Sequence, residues 1–132
     1  MTEPIRTRVS YDGNENRPQR YPDLPEPLTV GTYDNHTHLE IADSDSPLSV
    51  SEQLERMRQV RMLGAVQVGV TLESSKWSAD QAEKEPMLLA AVALHPNEAP
   101  LYETKEKLDA AIAEIAHLAT KPRVRAIGET GL

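Results

Sequence analysis

The 132-residue chain contains no cysteine. This excludes a disulfide framework and thiolate metal ligands, so a bound metal would have to rest on histidine and carboxylate. The sequence has no run of about 18 apolar residues, and its opening MTEPIRTRVSYDG has no apolar h-region, so it supports neither a membrane span nor a secretory signal. The expected compartment is the cytoplasm. Basic charge is also scarce: 14 Lys plus Arg against 21 Asp plus Glu give a formal net charge of −7. That balance argues against binding nucleic acid through a large basic face, which gains affinity by releasing counterions from phosphates. A phosphate substrate would need a metal to offset its charge. Neither a GxxxxGKS/T phosphate loop nor a serine-centred nucleophile elbow occurs.

Residues 1–28 are rich in proline and poor in aliphatic side chains, which predicts an extended, disordered leader with no core of its own. The domain is expected over residues 29–132. LTVGTYD reads as a short buried strand that runs into the polar cluster NHTH. Residues 49–63 predict a helix: Ser49 and Glu52 form a capping box, Val50, Leu54, Met57, Val60 and Leu63 share one face, and Gly64 offers a C-cap. AVQVGV then reads as a strand, residues 74–85 as a polar helix, and MLLAAVAL as a strand covered on both faces. Residues 103–120 predict an amphipathic helix through Leu108, Ile112, Ile115 and Leu118, and RVRAIGE a fourth strand. Trp77, the stretch around Lys105 and the acidic residues 83–85 read as helix surface.

This β-α-β-α-β-α-β order predicts an α/β fold with parallel strands, either doubly wound or part of a (β/α)8 TIM barrel. Four strands occupy about 100 residues where a closed barrel needs roughly 200 to 250, so the barrel reading makes this chain a first half. Such a half would expose strand edges and could self-associate through them.

Candidate chemistry gathers at the predicted strand ends. His36 and His38, at i and i+2 on an extended segment, point to the same side and can share one metal ion. Asp34 could orient or ligate beside them, or cap the strand end. Glu129 stands between Gly128 and Gly131 at the end of the fourth strand, and His95 follows the third, so parallel strands would bring all of them to one rim. His95 could bind a substrate phosphate, line the pocket, or bond only to local backbone. His117, in the last turns of a helix, suits the helix dipole and receives no functional role.

DNHTHLE, VALHPNEA and AIGETGL, in this order and spacing, resemble the TatD family of metal-dependent deoxyribonucleases over about residues 30–132. The resemblance implies a (β/α)8 barrel with one or two divalent ions, Mg2+ or alternatively Mn2+ or Zn2+, hydrolysing phosphodiester bonds in DNA with a metal-activated water. It gives His36 and His38 the role of metal ligands, Glu129 that of catalytic and bridging ligand, and His95 a place on the substrate side. The family signature continues from GETGL into an Asp, and its remaining ligands, two His and an Asp from later strands, would lie beyond Leu132. On that reading the chain is truncated and weak or inert alone. Two alternatives stand beside it: another amidohydrolase-like enzyme with an HxH strand, against which GETG argues, and a non-catalytic metal-binding fragment.

Overall fold

The computed structural model describes residues 3–7, 20–42 and 44–131. In chain order the elements are β1 (Arg6–Thr7), β2 (Thr32–Thr37), β3 (Ile41–Ala42), α1 (Val50–Gln59), β4 (Met62–Val68), α2 (Leu72–Lys84), β5 (Leu88–Val92), a 3-10 turn (Ala99–Leu101), α3 (Lys105–Leu118) and β6 (Val124–Ile127). They fall into two compact units, Met1–Thr32 with Leu39–Leu63 and Tyr33–His38 with Gly64–Leu132. No helix among the described residues is long and apolar enough to cross a membrane.

In the first unit β1 and β3 pair in parallel, Arg6 opposite Ile41. The amides of Ile5 and Arg6 both donate to the Glu40 carbonyl at 2.9 Å. The buried Glu40 carboxylate faces the Arg6 guanidinium at 3.4 Å. The leader therefore contributes a short strand: an extended segment can add to a sheet edge through its backbone without apolar content of its own. Residues 8–19, part of the same predicted leader, lie outside the described residues.

Helix α1 begins as its sequence predicts. Ser49 caps it, its hydroxyl accepting the Glu52 amide while the Glu52 carboxylate accepts the Ser49 amide at 2.8 Å, and Val50 and Leu54 are buried. Its end differs. The helix stops at Gln59 with Val60 as C-cap, and Arg61 turns the chain at φ 63°. The Arg61 carbonyl accepts the Thr32 amide at 3.3 Å, and its guanidinium donates to Thr29 O at 2.8 Å. Met62 and Leu63, which continue the helical spacing on paper, belong to β4. Gly64 is thus no C-cap. It lies within β4, where a Cβ would come within 2.7 Å of Met87 O.

The second unit is built on a four-stranded sheet in the order β2-β4-β5-β6. β4 and β5 are parallel, Ala65 opposite Leu88, as are β5 and β6, with a register shift at Ala90/Ala91. Strand order follows chain order. A doubly wound sheet reverses direction at a switch point, so this order fits the singly wound alternative. β5 lies inside, with Leu88, Ala90, Ala91 and Val92 buried. Helix α2 packs on β5, and α3 packs on α2. Among the described strands β6 forms one edge, where Ile127 is 61% exposed.

Candidate metal centre

β2 is Thr32–Thr37 and largely exposed, with Val30 and Tyr33 open to solvent, rather than the buried strand LTVGTYD that the sequence predicts; His36 lies within the strand and His38 immediately after it. Alternation places both rings on one side. Their Nε2 atoms are 3.1 Å apart and the rings meet edge to face, with centroids 5.0 Å apart. Asp34 Oδ1 accepts the His36 amide at 2.9 Å, so it supports the backbone of the histidine segment from within β2.

Glu129 reaches this pair from the far side of the sheet. After β6 the chain turns across the strand ends: the Gly128 amide donates to Val92 O at 3.2 Å, and the Glu129 amide donates to Gly69 O at 3.4 Å. The segment thereby passes the end of β5, then that of β4, and arrives beside β2. Glu129 Oε2 lies 3.3 Å from His36 Nε2 and 3.7 Å from His38 Nε2.

His95 approaches the other carboxylate oxygen, its Nε2 3.8 Å from Glu129 Oε1. Its amide donates to Val70 O at 2.8 Å, tying the end of β5 to that of β4. The Asn97 amide donates to His95 Nδ1 at 3.1 Å. A neutral imidazole that accepts at Nδ1 carries its proton on Nε2, so His95 presents an N–H donor toward Glu129. Gly131, at φ 63°, lies against the ring; a Cβ there would come within 2.8 Å of His95 Nε2.

Three of the donors converge. Ligand atoms of His36, His38 and Glu129 all lie within 4.8 Å of one another. On a tetrahedral cation with ligand bonds of about 2.0–2.1 Å, donor atoms sit about 3.4 Å apart. The observed separations of 3.1, 3.3 and 3.7 Å bracket that value. Two imidazoles and one carboxylate are also a donor set that divalent ions of the first transition row and Zn2+ accept. The residues fit a cation. The His36 side chain is 48% exposed and that of Glu129 35%, the partial openness of a site that admits a further ligand rather than of a closed structural one.

Residues 33–132 match the family model described as TatD related DNase. The chain belongs to this family. Over 99 residues it is 38% identical to a Mycobacterium tuberculosis (strain ATCC 25618 / H37Rv) protein named as an uncharacterized metal-dependent hydrolase TatD, an alignment covering 75% of this chain and 36% of that relative. The chain thus spans about a third of the length of the curated TatD relative it matches. The TatD match begins at Tyr33, in the strand that carries the histidine pair, and leaves out the proline-rich leader.

Of the residues singled out from the sequence, His36, His38 and Glu129 form a cluster, His95 stands beside it, and Asp34 bonds the His36 amide. The sequence reading did not find Ser74, Ser75 and Gly69. Both serines are buried on α2, and their hydroxyls bond backbone at the ends of β4 and β5. Gly69 packs against Ser75. The available signal was Ser74-Ser75, four and five residues past the predicted strand end at Val70, which reads equally well as the polar first turn of a surface helix.

Proposed function

We propose that the chain forms part of a (β/α)8 hydrolase that cleaves phosphodiester bonds in DNA, with a divalent cation held by His36, His38 and Glu129. The observation that carries this reading is the meeting of Glu129 Oε2 with the histidine pair while its Oε1 faces His95. One carboxylate therefore has an ion-binding side and a side that faces a proton donor. Bound there, Mg2+, Mn2+ or Zn2+ would supply Lewis acidity toward a phosphoryl oxygen and a lowered pKa for water.

The chain's own residues do the rest. His36 and His38 present imidazole Nε2 atoms as donors, and Glu129 contributes negative charge that helps retain a cation. His95 Nε2–H stands at the edge of the cluster, 3.8 Å from Glu129 Oε1, where it can donate to a phosphate oxygen that approaches beside the carboxylate. The Asn97 amide at Nδ1 keeps that proton on the site side. The half-exposed His36 leaves an approach for a flexible strand, which favours single-stranded or end-frayed DNA.

The test is release of nucleotides from single-stranded DNA by the 132-residue chain with Mn2+ or Mg2+, beside a His36→Ala/His38→Ala double variant. Release by this chain alone is expected to be weak, stopped by EDTA and absent from the double variant. Cation binding without nucleotide release would overturn hydrolysis by this chain and leave it a cation-binding member of the family.

A further inference from the structure

Helix α2 turns serines toward the sheet where an amphipathic helix would turn aliphatic side chains. Ser74, Ser75 and Ser78 have no exposed surface. A buried hydroxyl is costly unless its bonds are made, and each of these makes them. Gln67 Nε2, one residue before the last of β4, donates to Ser78 Oγ at 3.1 Å. Ser74 Oγ accepts the amides of Val70 and Thr71, each at 2.9 Å, just beyond the end of β4. Ser75 Oγ donates to Ala93 O at 3.0 Å and accepts the Ala93 amide at 3.1 Å, just beyond the end of β5.

Ser75 therefore holds both backbone groups of one residue, two positions before His95. It also sets the other side of the site. A Cβ on Gly69 would lie 2.6 Å from Ser75 Cα and 2.8 Å from Ser75 N, so the helix start rests directly on the bare glycine backbone. The carbonyl of that same glycine receives the Glu129 amide. One side chain thus fixes Ala93 by hydrogen bonds, and its backbone fixes Gly69 by contact.

We infer that Ser75 is a positioning residue of the metal centre, setting where His95 and Glu129 stand without touching ion or substrate. The inference rests on the cation reading of His36, His38 and Glu129 given above. Groups that orient ligands from behind are worth about 10–100-fold in metal affinity, which sets the size of the expected effect.

The test compares Ser75→Ala with Ser78→Ala in the full chain. Both remove a buried hydroxyl from the same face of α2, but Ser78 bonds the side chain of Gln67, whereas Ser75 bonds the backbone of Ala93, two residues before His95. Two readouts are taken for each: the proton cross-relaxation between His95 Hε1 and Gly131 Hα in cation-free protein, and Zn2+ affinity by calorimetry. Ser75→Ala is expected to lose the cross-peak and to weaken Zn2+ by about 10-fold or more, while Ser78→Ala keeps the cross-peak and the affinity. Retention of both readouts in Ser75→Ala overturns the inference. Equal losses in Ser78→Ala also overturn it, since they would mean general loosening. Should Ser75→Ala not fold, Ser75→Cys keeps the volume with a weaker hydrogen-bonding group, and an unchanged cross-peak there sinks the idea. If the wild-type chain binds no Zn2+, the cation reading falls, and the cross-peak comparison still decides whether Ser75 places His95.

Discussion

The imidazole of His95 lies against Gly131, so close that a Cβ on the glycine would meet Nε2 at 2.8 Å and Cε1 at 3.1 Å. Gly131 also has φ 63°, a conformation that costs an L side chain roughly 1–2 kcal/mol. Gly131→Ala should therefore lower stability by about that amount and push the His95 ring off Glu129. Urea unfolding measures the first effect and the His95 ring resonances the second. Unchanged ring resonances would show that this contact does not place the histidine.

Glycines in the crossing region differ in what a side chain would meet. At Gly69 it meets both the hydroxyl and the backbone of Ser75, and at Gly128 nothing lies within 4 Å. Gly69→Ala should cost about 1–3 kcal/mol, because backbone rather than a side-chain tip must move. Gly128→Ala should fall within about 0.5 kcal/mol of wild type. Denaturant midpoints of the two variants decide it, and a neutral Gly69→Ala would contradict the close approach of α2 to β4.

The donor triple predicts a graded response to ligand loss. His36→Ala, His38→Ala and Glu129→Gln should each weaken Zn2+ or Mn2+ binding by more than the roughly 10–100-fold that a ligand's supporting partner is worth. Asp34→Asn should matter far less, since Asp34 Oδ1 accepts the His36 amide and Asp34 is not among the clustered ligands. Calorimetric titration ranks the four, and equal losses for Asp34→Asn and Glu129→Gln would remove Glu129 from the ligand set.

Two flanks of the pH–stability profile have opposite signs. The Ser49 hydroxyl and amide hold the Glu52 carboxyl below its ordinary value of 4.5. Its stabilisation of α1 is thus present above pH 4.5 and lost as pH falls through the folded value. Lys121 is held above its ordinary 10.5, chiefly by its hydrogen bond to Asp80, with Glu83 adding to it. That contribution is complete below pH 10.5 and fades as pH rises through the folded value. Glu52→Gln should differ from wild type at pH 7 and converge with it in acid, while Lys121→Met should converge in alkali. A difference independent of pH would discard either assignment.

The elements legible in the sequence were those whose signal is local. Period-two spacing placed His36 and His38 together, the Ser49–Glu52 pair marked the start of α1, and the run from Met87 marked the innermost strand. The end of α1 was not legible, because Met62 and Leu63 satisfy helical spacing as well as they satisfy a strand. The turn at Arg61 that separates the two is held by partners at Thr29 and Thr32, far away in sequence. The buried face of α2 was missed for a related reason. Serine counts as polar in any periodicity, and its burial here depends on backbone acceptors and donors on β4 and β5. Glu129 was visible as a carboxylate between glycines, but its route past Val92 and Gly69 could only come from the fold.

That route makes the cluster a report on tertiary assembly. Residues 36 and 129 lie nearly the whole length of the second unit apart in sequence, one on β2 and the other two residues past β6, the outermost of the described strands, and they meet only while every intervening strand end is in register. An ion gripped by both would act as a tether between those strands, and anything that binds only the folded state stabilises it in proportion to the logarithm of its concentration. Cation occupancy and the integrity of the sheet's outer edges should therefore rise and fall together, so that a chelator acts on this chain as a mild denaturant of β2 and β6.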